Sequence, residues 1–171
     1  ADIIYEFSSL LRNNISEEKE TTIENELEFC RKYSYLCMVR YPKSIAYGFK
    51  IEPGLEEMVI PKFTLQPLVE NYFVHGVDHK RKDNVISIKV RHVGGAVEIR
   101  VQDNGRGLEP IQQILSHRDP REEVEESKGR QSIGIVNVHE RFLLYFGDRY
   151  HIQITSEKGK GVLYTITIED T

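Results

Sequence analysis

The stretch Val97-Glu98-Ile99-Arg100-Val101-Gln102-Asp103-Asn104-Gly105-Arg106-Gly107 is an alternating strand that runs straight into a glycine loop. Val97, Ile99 and Val101 point to one face, and Glu98, Arg100 and Gln102 to the other. A carboxylate at the strand end, followed by glycines at i+2 and i+4, suits a loop that must touch a flat ligand. The carboxylate can accept a hydrogen bond from an exocyclic amine, and the glycines allow unusual backbone angles and close approach. Asp-Asn-Gly is also ordinary turn chemistry, and on local grounds both readings stand.

Outward from this strand, residues 85–92 form its hairpin partner across Gly94-Gly95, a tight-turn signal. Further upstream, residues 65–76 read as a helix with Thr64 as its N-cap and Pro67 in the tolerant first turn. Residues 46–51 read as a strand and 52–63 as an irregular connection. A helix is expected from Thr21, in a capping box with Glu24, to about residue 41. Its stripe is Ile23, Leu27, Cys30, Ser34, Cys37 and Tyr41. Residues 3–14 look like the tail of another helix, and 14–20 like a linker. Downstream, a short helix near 110–115 precedes a charged stretch, 116–131, without apolar period. A third main helix is expected over 133–146, with Ile135, Val138, Phe142 and Tyr145 inward. Strands 151–156 and 162–168 then form a last hairpin. Hairpins interleaved with helices predict a two-layer α/β sandwich, a mixed and mostly antiparallel sheet covered by helices on one face.

The 171 residues suffice for one domain with a real core. Net charge is −4, with no basic stripe, which argues against direct nucleic-acid contact. No apolar run approaches the length of a membrane span. Cys30 and Cys37 stand seven apart on a helix, roughly 10 Å along its axis, too far for a disulfide. Two unpaired thiols fit a reducing compartment.

On the second helix, Leu65, Leu68, Val69 and Tyr72 make the core stripe. Pro67, Asn71 and His75 share another face at i, i+4 and i+8. Asn71 is a polar amide in an otherwise apolar segment. It is either an exposed asparagine or an oxygen ligand for a hard cation such as Mg²⁺, which keeps waters and shares phosphate oxygens. Ser132-Ile133-Gly134-Ile135 reads as the opening of the third helix, where free N–H groups and the helix dipole can meet a phosphate. Small residues there are also common caps.

Together, Glu70-Asn71, Asp103–Gly107 and the glycine-opened third helix resemble the Bergerat ATP-binding fold over residues 60–170. That superfamily (GHKL) includes gyrase, Hsp90, MutL and histidine kinases. More narrowly, PKFTLQPLVENYFVHG (61–76) is similar to the N box of LytS-type sensor histidine kinases, and SIGIVNVHERF (132–142) to their second glycine box. Residues 24–41 and 7–12 resemble that family's leading helix and the segment downstream of its phosphoacceptor helix.

The resemblance implies ATP and Mg²⁺ as cofactors. Asn71 would bind Mg²⁺, with Glu70 beside it. Asp103 would accept from the adenine amino group, and Gly105 and Gly107 would shape the adenine loop. Ser132 and Gly134 would sit by the phosphates, His75 would reach a phosphate, and Lys128 and Arg130 would be lid contacts. Residues 1–20 would be the remnant of a dimerisation helix and linker, 21–171 the catalytic domain, and 116–131 the ATP lid. The implied partners are the dimerisation helix carrying the phosphoacceptor histidine and a response regulator. The implied place is the cytoplasmic side of a membrane-anchored kinase.

The chain departs from the family pattern at four positions. Tyr72 replaces a small residue, Val74 a lysine, Ser132 a glycine and Val162 a threonine. Pro67 stands where the ATPase branches carry a glutamate base, so efficient hydrolysis is not expected. None of the six histidines sits in a phosphoacceptor motif, so the chain is expected to bind nucleotide without phosphorylating itself. Two alternatives share the fold: a degenerate domain that regulates by binding a partner, and an anti-sigma-factor-like serine kinase.

Overall fold

The computed structural model describes residues 18–40, 45–108 and 129–171, with the backbone alone at 40 and 129–133. In chain order the elements are β1 (Glu20–Thr22), α1 (Ile23–Arg40), β2 (Ile45–Ile51), β3 (Val59–Pro61) and α2 (Gln66–Asn71). A wide helical turn, Tyr72–Gly76, continues α2. It is followed by β4 (Asn84–His92), β5 (Ala96–Asp103), α3 (Gly129–Phe146), β6 (Tyr150–Glu157) and β7 (Gly161–Glu169).

Five strands form the main sheet in the order β2-β4-β5-β7-β6. Only the β2–β4 pair is parallel, and β3 and α2 lie in the chain between those two strands. The expected mixed sheet is therefore observed. Alternation assigns the two faces: Ile86, Ile88 and Val90 of β4, Val97, Ile99 and Val101 of β5, and Tyr164, Ile166 and Ile168 of β7 are all buried. They pack against Ile23, Leu27 and Cys30 of α1, Leu68 and Val69 of α2, and Ile135, Val138 and Phe142 of α3. Each such aliphatic side chain contributes about 1.5–3 kcal/mol by leaving water. The opposite face is polar, with Arg91 and Glu98 paired at 2.8 Å across β4 and β5.

Several local expectations are corrected. β1 and β3 pair antiparallel as a small second sheet, inside segments read as linker and irregular connection. Three-residue strands are too short to show a period. The N-cap of α1 is Thr22, whose Oγ1 accepts from Asn25 N at 3.2 Å, one residue past Thr21. Thr64 does not cap α2, because its hydroxyl donates to the Pro61 carbonyl instead. On α3, Phe146 is buried where Tyr145 was expected, and Tyr145 is 40% exposed. α3 also starts at Gly129 rather than near Ile133. Its first turn is polar and carries no periodic signal, so the apolar pattern began too late to mark the true start. Tyr41, the expected helix near 110–115 and the segment 1–17 lie outside the described residues.

Candidate functional site: a glycine-caged carboxylate facing an unused amide

β5 delivers Asp103 to the edge of the core, where its side chain is 8% exposed. Its Oδ1 accepts from Gly105 N at 2.8 Å, and the Val162 N–H also donates to the carboxylate. No cation is among the groups that perturb it. Burial therefore dominates and raises its pKa to about 6, against the backbone donors that lower it. The result is a buried acceptor with capacity left for a ligand.

The loop around it is fixed by contact between backbones. A Cβ on Gly105 would lie 2.3 Å from the Gly76 carbonyl oxygen, and one on Gly107 2.5 Å from the Glu157 carbonyl oxygen. Neither position admits a side chain without moving main chain. Arg106 N donates to Gly76 O at 2.7 Å, and Gly159 N donates to Arg106 O at 2.8 Å. Leu108 N donates to Ser156 Oγ at 2.7 Å. Asn104, read from sequence as turn chemistry, ties strand edges together: its Oδ1 accepts from Val85 N at 2.8 Å and its Nδ2 donates to Asp83 O at 2.7 Å. Arg81 donates to the Asn104 carbonyl at 2.7 Å while pairing with Asp83.

Sequence reasoning missed two residues here. Gly161 (φ +97°) opens β7, and a Cβ on it would stand 2.1 Å from the Asp103 carbonyl oxygen. By sequence alone it is one glycine of the stretch Lys158-Gly159-Lys160-Gly161 between the last two strands. Glu26 of α1 is the second: its buried carboxylate accepts from Phe63 N (2.7 Å), Thr64 N (3.2 Å) and Leu65 N (3.1 Å). It satisfies N–H groups at the start of α2 that no local side chain caps. Burial still raises its pKa, with those N–H donors opposing the shift. Its place four residues before Cys30 is the one sequence signal for an inward-facing residue, and nothing in the sequence names its partners.

α2 presents the other half of the site. Asn71 has a buried Nδ2 without a partner among the described residues, while the Tyr164 hydroxyl hydrogen-bonds its side chain. Gly134 of α3 faces it, with a built Cβ 3.7 Å from Asn71 Oδ1 and 4.0 Å from Pro67 Cβ. Contact between Asn71 and the Gly134 segment is thus present. The expected helix-N-terminal setting is not: Gly134 lies in the second turn of α3, where backbone N–H groups are committed to the helix. Ser132 and Arg130 lie within the helix, not before it, and Lys128 lies outside the described residues.

Glu70 accepts from Gln66 Nε2, and its charge is felt by the buried Cys30 thiol. It therefore lies toward α1. His75 and Val74 are exposed, and partial desolvation holds the His75 imidazole below its usual pKa. Among the described residues no group of three or more His, Cys, Asp or Glu side chains could hold a metal alone. A cation here would need ligand oxygens beyond Asn71, which fits Mg²⁺ shared with phosphate and water. A groove of about 430 Å³ lies elsewhere, lined by Phe63, Arg141, Leu144 and Tyr145, and includes none of these residues.

A helix layer covers one face of this mixed sheet, with a buried carboxylate at the end of β5 and an asparagine at the end of α2. Residues 62–171 match the family model for histidine kinase-, DNA gyrase B- and HSP90-like ATPases, and the chain belongs to that family. Residues 1–45 match the histidine kinase model. The sensor histidine kinase YesM of Bacillus subtilis is 34% identical over 93% of this chain and 26% of its own length. YpdA of Escherichia coli is 31% identical over 88% of this chain and 26% of its own length. The chain thus spans about a quarter of these relatives. The catalytic domain of histidine kinase ThkA shares the fold at TM-score 0.59 and 13% identity, covering 91% of this chain and 97% of that one. Acinetobacter baumannii histidine kinase AdeS does so at TM-score 0.58 and 13% identity, covering 97% and 75%. Among the described residues no helix is long and apolar enough to cross a membrane.

Proposed function

We propose that this chain is the ATP-binding catalytic domain of a two-component sensor kinase, delivering the γ-phosphoryl group to a histidine on a separate dimerisation helix. The observation that carries the reading is Asp103: a buried carboxylate with spare acceptor capacity, in a cage that only glycines can form. An adenine amino group matches that acceptor. Asn71 would supply an amide oxygen to Mg²⁺, which would neutralise phosphate charge when bound. His75, neutral near pH 7, would lie beside the phosphates as a hydrogen-bonding group, and Glu70 would lie beside the Mg²⁺ ligand as the lesser candidate. Gly105 and Gly107 shape the base loop. Ser132, Gly134, Lys128 and Arg130 would meet the phosphates from α3 and a lid over residues 116–131.

The domain's contribution to transfer is positioning and electrostatic stabilisation. Pro67 at the position one turn before Asn71 offers no base for water, which favours transfer over hydrolysis. The domain division proposed is 1–20 as helix remnant and linker and 21–171 as catalytic domain. A response regulator would take the phosphoryl group from the histidine. Membrane anchoring would come from a preceding segment, with this domain on the cytoplasmic side.

The test is calorimetric titration with ATP, with and without Mg²⁺, for the wild type and Asp103→Asn. Binding that needs Asp103, followed by phosphotransfer to a supplied phosphoacceptor domain, supports the reading. Absence of binding at millimolar ATP leaves a partner-binding domain of the same fold.

A further inference from the structure

Tyr72 is among the largest fully buried side chains of the protein, at 2% exposure. Its ring packs under Gly76, with Cδ2 3.0 Å from a Cβ built there, and against Phe73 at 5.2 Å between centroids. A phenylalanine would fill the same space. What tyrosine adds is a hydroxyl, and that hydroxyl is buried with no hydrogen-bond partner among the described residues. Leaving such a group unpaired costs about 1–3 kcal/mol, so native proteins seldom do so without a reason.

The reason lies in its neighbourhood. Gly76, above the ring, carries the carbonyl that touches Gly105 and accepts from Arg106, so Tyr72 sits beneath the Asp103 loop. Asp103, Arg81 and Asp83 act on its hydroxyl, and Arg81 and Asp83 are also the residues that bind Asn104 of that loop. The next residue back, Asn71, also has a buried and unpaired polar atom. The Tyr72 hydroxyl, near a carboxylate with spare acceptor capacity, is thus a built but unfilled hydrogen-bonding group, while Asn71 faces Gly134. The wide turn beginning at Tyr72, closed by Val77 N donating to Tyr72 O at 2.9 Å, holds the ring in place. Such turns recur at functional sites.

We propose that the Tyr72 hydroxyl is a second base-reading group of the nucleotide site. It donates to the ring nitrogen beside the 6-amino group while Asp103 accepts from that amino group, selecting 6-aminopurines. A 6-oxopurine would put an acceptor against the Asp103 carboxylate, which has no proton to give when ionised. This inference rests on the nucleotide-site reading above and adds the group that recognises the base.

The experiment uses adenosine, 1-deazaadenosine, 7-deazaadenosine and inosine, titrated calorimetrically into the wild type and Tyr72→Phe. The variant is expected to bind adenosine about tenfold more weakly, the usual scale for one hydrogen bond in a dry site. The deaza analogue that lacks the nitrogen in question is expected to bind both proteins equally, and inosine is expected to bind both weakly. Thermal unfolding of the free variant is expected to be unchanged or raised, since no bond is lost. Adenosine affinity within twofold of the wild type overturns the proposal. So does a tenfold difference that persists with both deaza analogues, or a clear loss of stability in the free variant. If the wild type binds neither adenosine nor ATP, the nucleotide-site reading itself fails, an outcome separate from these.

Discussion

The two ends of the candidate site are built by opposite means. At the proposed base end the Asp103 loop is locked between main-chain surfaces, and Gly105, Gly107 and Gly161 each stand where a methyl group would strike a backbone atom. At the proposed phosphate end, Gly134 meets Asn71 at ordinary contact distance, and His75 and Val74 face solvent. Main chain packed on main chain fixes one end, while side chains at ordinary contact distance or open to solvent line the other. A glycine is therefore informative about function only when its neighbours are known. Gly105 and Gly134 look alike in a motif, yet only one is sterically obligatory.

The strongest way to break this comparison is a pair of alanine substitutions. Gly105→Ala is expected to cost ~3 kcal/mol, the upper range for overpacking, and to lower the melting temperature by roughly 6–12 °C. Gly134→Ala is expected to raise stability by about 0.5–1 kcal/mol, as alanine does in a helix interior. Equal losses in both, followed by calorimetry or circular dichroism, would show that the two ends are packed alike.

Next in size is the anchor of α2. Glu26→Gln keeps the volume but replaces a carboxylate oxygen with an amide donor facing backbone N–H groups. A loss of about 2 kcal/mol is expected in urea unfolding, in line with hydrogen bonds to charged groups. Nucleotide affinity should fall with it, because α2 carries Asn71. Unaltered unfolding would mean that α2 needs no anchor from α1.

Asn71→Ala sharpens the phosphate end alone. The gain in ATP affinity on adding Mg²⁺ is expected to shrink about tenfold, with adenosine affinity unchanged. If adenosine also binds less well, the two ends are not separable.

The smallest effect is the pH response of Asp103. Its folded pKa, about 6, lies above the unfolded value near 3.8, so the folded state binds more protons between those values. This group's contribution favours folding at low pH and is lost as pH rises through about 6. Base binding needs the ionised carboxylate and should run the other way. Adenosine affinity is expected to be about halved at pH 6 relative to pH 8, where nearly all of the group is ionised. A flat profile between pH 5 and 8 would remove Asp103 from base recognition.

Much of this was legible in the sequence, because the information is local. The alternation in residues 97–102 specifies a half-buried strand, and the 3.6-residue stripes of α1 and α2 specify which faces are buried. The Asp103–Gly107 loop and Asn71 also carried enough chemistry to suggest a nucleotide. Where the signal is weak or absent locally, the reading missed. β1 and β3 are too short for periodicity, and the start of α3 is masked by a polar first turn. Three facts belong to the tertiary structure alone. Glu26 caps a helix that begins some forty positions away, Gly161 must be glycine because Asp103 lies against it, and the Tyr72 hydroxyl is left without a partner. Each depends on contacts between segments far apart in the chain, and a residue's own neighbours in sequence exert no force that could announce them.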